Sequence, residues 1–391
     1  MYYANIRQVL SLVQSEGEMS RAQVAVRTGM NIMTVGRIVE NMISRGILQE
    51  RETEAICQVG RPPRLLSLRQ DRLLCASLFL ARDKLHLGLV NLTGQVTAYR
   101  DLPVPEGDFV PGRVLPWMTD CLEQFLREQR GQDLCRTVGV VVPGILDMGR
   151  GEVVFSANFQ WEGVPLLEHL RRRLPDWTFI LENDVKAVAV AEHQFGAAKG
   201  FRNIVVLNIG DGVGAAVILD DEIYRGRDNM AGEIGHIILN PAGKICECGK
   251  AGCLQTYLSQ RTLLAEARGV YPQAATLAQL FALYRQGETF ARAMMNQVGE
   301  YVAIAVNLLA NTYAPDVVLL CGSMVRQGTV LQEIVEDMYQ EKLNQYMKDT
   351  FQLRFERFGT TGHLIGGGVL AVRQVLWDLC GRRTTEEQDA L

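Results

Sequence analysis

The chain has 391 residues, 48% of them hydrophobic and 21% charged, with a net charge of −4. That balance excludes a disordered or fibrous protein, and the length calls for two or three domains. Met1 to Arg7 lacks the apolar core and cleavage site of a signal peptide, and no run of about eighteen apolar residues follows, so membrane insertion is not expected and the cytoplasm is the expected location.

Nine cysteines, an odd number in such a chain, point to metal or buried thiols rather than a disulfide framework. The charge is unevenly spread. Residues 1–70 hold nine Arg, no Lys and six Glu, a surplus of 3, which leaves −7 for the remainder. A basic head on an acidic body suits a nucleic-acid module joined to a ligand domain.

From Asn5 to Gln14, Ile6, Val9, Leu10 and Val13 recur at helical spacing, and Gly17 ends the helix. The short stretch ahead of Asn5 is compatible with residues missing from the N-terminus. Ser20 is placed to cap a second helix over Ala22 to Arg27, closed by Thr28-Gly29. Asn31 is placed to cap a third, whose inward stripe is Val35, Ile38, Val39, Met42 and Ile43. This order is the helix-turn-helix pattern, and it puts Ile32, Met33, Thr34 and Arg37 where side chains reach base edges, with Arg37 the best bidentate candidate. Ile47 to Glu50 and Arg64 to Leu68 read as two strands of a wing. Between them, Gly60-Arg61-Pro62-Pro63-Arg64 combines extended backbone with Arg61 and Arg64, a combination suited to the minor groove of A·T-rich DNA. Three-helix packing also serves for dimerisation or docking; the arginines of the wing favour DNA.

The body opens with strands over Leu73 to Leu80, Leu85 to Asn91 and Gln95 to Leu102. A helix over Val114 to Glu128 and a strand over Thr137 to Val142, ending at Pro143-Gly144, begin a βαβ alternation. A strand over Thr178 to Leu181 delivers Glu182-Asn183-Asp184 ahead of a helix over Val185 to Phe195. A second lobe starts at Ile204 to Asn208, followed by the glycine loop Gly210 to Gly214 and a strand over Ala215 to Leu219. Tyr301 to Asn311 reads as a buried helix, and Val317 to Leu320 as a strand ending at Cys321-Gly322-Ser323. Strand ends and glycine turns therefore gather at a crevice, where open α/β sheets bind ligands. The implied units are a winged helix-turn-helix over 1–70, a first lobe over 71–185 and a second lobe over 186–391, whose C-terminal helix is expected to return to the first lobe.

His236, Cys246, Cys248 and Cys253 fall within eighteen positions and can fill a closed tetrahedral zinc site, which makes the metal structural. Unrelated buried thiols are the alternative, and their bunching argues against it. His236 can bind the metal through one ring nitrogen and a ligand or supporting oxygen through the other.

With Pro143-Gly144, Glu182-Asn183-Asp184, Gly232-Glu233-Ile234-Gly235-His236, the Cys246-Glu247-Cys248-Gly249-Lys250-Ala251-Gly252-Cys253 loop and Gly322, the chain resembles the ROK family of bacterial repressors and sugar kinases along nearly its whole length. The resemblance implies a winged helix-turn-helix followed by a two-lobed α/β actin-like ATPase (sugar kinase, ribonuclease H-like) fold. It also implies sugar contacts from Asn183, Asp184, Glu233 and His236, and zinc on His236, Cys246, Cys248 and Cys253. Gln255 stands where the family carries a sugar-contacting Glu, which changes charge and donors at the effector site.

The family's kinases open the body with an Asp-x-Gly-Gly-Thr-Lys hairpin. Phe79 replaces that carboxylate here, Ala81 and Arg82 replace the glycines, and Asp211 adds a negative charge at the second phosphate loop, so phosphoryl transfer is not expected. The reading is a sugar-responsive, DNA-binding regulator, a repressor of carbohydrate metabolism acting as a homodimer or homotetramer on a double-stranded operator, with a sugar or sugar-phosphate effector. The rivals are a ROK-type sugar kinase with an appended DNA-binding domain, and a regulator whose effector is a sugar-transport protein. The acidic tail after Arg383 is expected to be disordered.

Overall fold

A serine cap and an asparagine cap set the head. Ser20 Oγ accepts from Gln23 N at 3.3 Å while Gln23 Oε1 accepts from Ser20 N at 2.8 Å, a reciprocal capping box. Asn31 Oδ1 accepts from Met33 N at 2.8 Å. Between them Gly29, at φ 68°, makes the left-handed turn. The helices are α1 (Tyr2–Glu16), α2 (Arg21–Thr28) and α3 (Ile32–Ser44). A three-stranded sheet closes the wing, with β3 (Arg64–Leu68) between β1 (Met19–Ser20) and β2 (Leu48–Glu52).

The computed structural model describes residues 2–52, 64–69, 73–107, 109–129, 132, 134–343 and 345–381. Arg61, the rest of the Gly60–Pro63 connector and the tail after Arg383 lie outside the described residues.

The body repeats one sheet plan twice. In the first lobe the antiparallel strands β4 (Leu74–Leu80), β5 (Lys84–Val90) and β6 (Val96–Pro103) precede α4 (Pro111–Glu128) and β7 (Leu134–Val142). A small sheet of β8 (Ile145–Asp147), β9 (Glu152–Ser156) and β10 (Trp161–Val164) follows, then α5 (Leu166–Arg173), β11 (Thr178–Asn183) and α6 (Asp184–Phe195). The main sheet runs β11-β7-β4-β5-β6, parallel on the β7 and β11 side. The second lobe has β12 (Ile204–Ile209), β13 (Val213–Leu219) and β14 (Glu222–Tyr224). It continues with α7 (Gln255–Leu258), α8 (Gln260–Val270), α9 (Leu277–Gln286), α10 (Thr289–Tyr313) and β15 (Val317–Cys321). The chain ends through α11 (Ser323–Arg326), α12 (Val330–Lys342), β16 (Gln352–Phe355) and α13 (Thr361–Gly381), and the second sheet runs β14-β13-β12-β15-β16. Every residue of β4 and β15 is buried, as central strands covered on both faces must be.

Some boundaries differ from those expected from the sequence. Helix α4 begins at Pro111, because a first-turn proline lacks an N–H that would have no acceptor there. Val213 and Gly214 pair with Ile209 and Asn208, so the predicted glycine loop is a hairpin turn of only Gly210, Asp211 and Gly212.

Helices α6 and α13 lie between the two sheets. On one side Val185, Val188 and Ala189 of α6 pack with Ile204, Val206 and Val317 of the second sheet. On the other, Ala187 and Leu364 pack with Phe79 and Val141 of the first. Helix α13 then reaches the head, where Ala371 and Val372 share a core with Ile6, Val9, Leu10 and Val13 of α1.

Glycine makes this close approach possible. A Cβ at Gly366 would come within 1.9 Å of the Ala187 carbonyl oxygen, and one at Gly139 within 2.1 Å of the Gly367 oxygen. Alanine in a helix gains about 1 kcal/mol over glycine, whereas overpacking against backbone costs about 1–3 kcal/mol or more. Gly366→Ala is therefore expected to be destabilising, measured as a lower urea midpoint; an unchanged or higher midpoint would show that α13 is not wedged.

Candidate functional site

The cleft between the lobes is built from the C-terminal ends of strands and the N-terminus of α6. Its void, counted out to the mouth and including open solvent, is about 730 Å³. Asn183, Asp184, Glu233, His236 and Gln255 all line it, contributed by both lobes.

Each has a distinct physical state. Asn183 is the N-cap of α6: its Oδ1 accepts from Val185 N at 3.0 Å and Lys186 N at 3.2 Å, while its Nδ2 donates to the Gly144 oxygen at 3.1 Å. Most of its hydrogen-bonding capacity thus holds the fold, leaving one amide hydrogen for a ligand. Asp184 opens the helix, where the macrodipole favours a negative charge, yet burial dominates and pushes its carboxyl up to about 6, with the neighbouring Glu233 acting the same way. Burial also raises Glu233. Gln255 is buried, and its Oε1 accepts from Val213 N at 3.3 Å, so the amide ties α7 to the start of β13. Gly232, at φ 102°, lets the Glu233 segment lie on β13; a Cβ there would meet the Ala215 oxygen at 1.9 Å.

Several lining residues carry no signal that marks them in the sequence. Ser156 is buried and its hydroxyl has no hydrogen-bond partner, and Asn158 and Asn208 add polar edges. Lys186, in the first turn of α6, donates to the Asn229 backbone oxygen at 2.6 Å and to its Oδ1 at 3.0 Å. Arg225 in turn pairs bidentately with buried Glu182, at 3.1 and 2.6 Å. The Glu-Asn-Asp signature therefore divides its work: Glu182 anchors, Asn183 caps, and Asp184 faces the cleft.

Beside the cleft, one ligand atom from each of His236, Cys246, Cys248 and Cys253 lies within 4.8 Å of the other three. Cys246 Sγ is 3.7 Å from His236 Nδ1, and Cys248 Sγ is 3.6 Å from Cys253 Sγ. A tetrahedral ion with bonds of about 2.3 Å to sulfur needs edges of about 3.8 Å, so the donor set fits zinc in kind and in spacing. Burial pushes the Cys253 thiol up to about 12, with Cys248 and Cys246 acting the same way, an environment in which thiolates need a cation. Nδ1 of His236 turns to the cysteines, while its Nε2 is 4.0 Å from the Glu233 carboxylate. One ring thus lies between the cysteine loop and the cleft wall.

At the β4–β5 hairpin, Phe79 stacks on His363 of α13, with centroids 3.9 Å apart and planes 1° off parallel, and on His86 at 5.6 Å. Burial lowers His363 to about 3, so the ring is neutral. Ala81 N donates to the Lys84 oxygen at 2.9 Å, and Arg82 donates to the Asn158 oxygen at the cleft. Asp211 is exposed in the hairpin turn after β12.

In the head, Ile32, Met33 and Arg37 are exposed on α3 and Thr34 is half-buried. Arg64 has partners in its own sheet, Glu52 at 3.1 Å and Glu50 at 3.8 Å, which ties its guanidinium to the wing.

A winged helix-turn-helix joined to a duplicated α/β body with a ligand cleft is the architecture of a DNA-binding regulator built on a sugar-kinase fold. The ROK family model matches residues 75–374 and a winged helix-turn-helix DNA-binding model matches residues 4–49. The chain belongs to the ROK family. It is 24% identical over 367 residues to a xylose repressor of Caldicellulosiruptor bescii, covering 89% of this chain and 90% of that one. It is 34% identical over 234 residues to a glucokinase of Thermotoga maritima, covering 56% of this chain and 72% of the glucokinase. A crystal structure of a ROK family transcriptional regulator, a homologue of the E. coli Mlc protein, superposes with a TM-score of 0.81 at 22% identity over 97% of this chain and 98% of that one. Among the described residues no helix is long and apolar enough to cross a membrane.

The raised carboxyl of Asp184 has a stability consequence. Its folded value, about 6, lies above the unfolded 3.8, so ionisation penalises the folded state. The penalty is absent below the unfolded value, grows between 3.8 and 6, and at neutral pH reaches up to about 3 kcal/mol. Asp184→Asn is therefore expected to melt higher than the parent at pH 7.5, with a smaller gain at pH 5. An equal or lower melting temperature at pH 7.5 would contradict the burial argument.

Proposed function

We propose that this protein is a repressor of carbohydrate-metabolism genes, acting in the cytoplasm, that grips a two-fold operator through paired heads and is switched by a sugar or sugar phosphate in the cleft. The observation that carries this reading is the pairing of an exposed α3, placed as a recognition helix, with a polar cleft in a body whose β4–β5 hairpin stacks Phe79 on His363. The sugar class is supported by the match to a xylose repressor and by the cleft's chemistry: carboxylate and amide groups from two lobes suit vicinal hydroxyls.

Phosphoryl transfer needs a phosphate cradle and a metal-holding carboxylate. Phe79 supplies neither, Ala81 and Arg82 carry side chains where bare backbone would approach phosphate, and Asp211 adds negative charge. We therefore assign Asp184 to effector binding rather than to proton abstraction. The kinase reading is favoured by Asp184 and by the glucokinase match, and an ADP-release assay over hexoses and amino sugars separates the two.

Effector closure of the lobes would move α6, which carries Asp184, against α13, which reaches α1 of the head. In a homodimer or homotetramer this alters the spacing of heads that must match half-sites about one helical turn apart. Asp184→Asn is expected to bind operator DNA like the parent yet lose the effector's change in affinity, typically about 5- to 150-fold for coupled sites. No sequence-selective DNA retention, or ADP release by the parent, would reject the assignment.

We further propose that zinc occupies the His236, Cys246, Cys248 and Cys253 site as a structural ion, holding the loop that presents His236 and Glu233 to the cleft. Elemental analysis of the purified chain is expected to find one zinc per chain. Cys248→Ser should lower both zinc content and melting temperature, and a metal-free chain indifferent to chelators would reject the site.

A further inference from the structure

Among the described residues of the head, the exposed large hydrophobic side chains are Val26, Ile32 and Met33, and the last two open α3, 50% and 75% exposed. They occupy the part of a recognition helix that meets base edges, where hydrogen-bonding groups are the usual occupants. Such groups are sparse here. The Asn31 side-chain oxygen accepts from Met33 N as the cap, and Glu40, further along the helix, is paired with Arg21 at 3.3 Å. Thr34, half-buried, and exposed Arg37 are the remaining polar side chains on the N-terminal half of the helix, and Arg37 is the long cationic donor.

A second, independent observation concerns Gly36. Glycine in a helix interior is tolerated rather than favoured, and it normally marks a left-handed conformation or a tight contact. Gly36 has neither. It is helical, and a Cβ there would meet only one atom within 4 Å, the Arg21 Nη1 at 3.9 Å. No contact among the described residues accounts for a glycine here, on the same helix as the apolar pair and one residue before Arg37.

In the major groove the apolar feature that distinguishes one base from the others is the C5 methyl of thymine. We propose that α3 reads its operator half-site chiefly through thymine methyl groups, covered by Ile32 and Met33, with Gly36 allowing the helix backbone to close on the base edges and Arg37 adding a hydrogen-bonded contact to guanine. The inference rests on DNA binding by the head and goes beyond it by naming the chemical feature that is read.

The test starts from duplexes selected from a random pool by the full-length chain, in which deoxyuridine then replaces thymidine one position at a time. The substitution deletes the methyl and leaves the base pair intact, and affinity is read by fluorescence anisotropy at one fixed salt concentration. Each contacted methyl removed is expected to weaken binding about fourfold. Met33→Ala should bind the thymidine and deoxyuridine duplexes equally at one such position. Both side chains are exposed, so Ile32→Ala and Met33→Ala leave the core intact. Gly36→Ala should melt no lower than the parent while binding the selected duplex at least about fivefold more weakly. Deoxyuridine duplexes bound within about twofold at every position would overturn the inference while leaving DNA binding in place. So would Met33→Ala dissociating the oligomer with operator affinity unchanged, which would assign the apolar pair to a chain–chain contact. Selection of no duplex at all would overturn the inference and the DNA-binding reading together.

Discussion

Gly366 of α13 lies so near α6 that no larger residue fits between them and the Ala187 carbonyl, and Gly139 of β7 meets the backbone of Gly367 in the same way. This close approach places α13 in the middle of the molecule. Along its length the helix touches the β4–β5–β7 face of the first sheet, the flank of α6 and finally α1 of the head. Closely packed backbone transmits displacement with little loss, because there is no soft side-chain layer to absorb it. Asp184 at the cleft thus sits on the helix that packs against α13, and α13 in turn packs on α1 of the head.

The cleft shows the compromise that ligand sites make. Asp184 and Glu233 are held where ionisation is costly, and both carboxyls are raised in consequence. Hydroxyl-rich ligands would offset that cost by donating hydrogen bonds that water cannot supply as well in a narrow cleft. Around these two acids the structure sets a stiff frame: Glu182 with Arg225, Lys186 with Asn229, and Asn183 capping the helix. Asn183, expected as a sugar contact, lines the cleft and also caps the helix that begins at Asp184.

The cysteine loop and the β4–β5 hairpin flank the cleft with two further side-chain clusters. His236 turns one ring nitrogen to the cysteine cluster, 3.7 Å from Cys246 Sγ, and the other towards Glu233 at 4.0 Å. At the hairpin, Phe79, His86 and His363 form an aromatic stack in which His363 is held neutral by burial. This aromatic stack packs α13 on the first sheet. The β4–β5 hairpin thus seats the helix that leads to the head.

Much of this was readable along the chain because the signals are local. Capping residues such as Ser20 and Asn31, the left-handed turn at Gly29, the helical stripe of α3 and the Cys-x-Cys spacing act over a few residues, where short-range sterics and hydrogen bonding decide the outcome. Other features have no local trace. Met19–Ser20 is too short to show an alternating pattern, yet it becomes a strand because β3 offers it a free edge. Lys186 and Ser156 look like ordinary helix and strand residues until the fold brings Asn229 beside one and the cleft beside the other. Phe79 read as a lost carboxylate, and only the return of α13 supplied the ring that stacks on it. Local covalent geometry and periodicity are written in neighbouring residues, whereas burial, the pKa values that follow from it and contacts across hundreds of positions exist only once the chain has closed on itself.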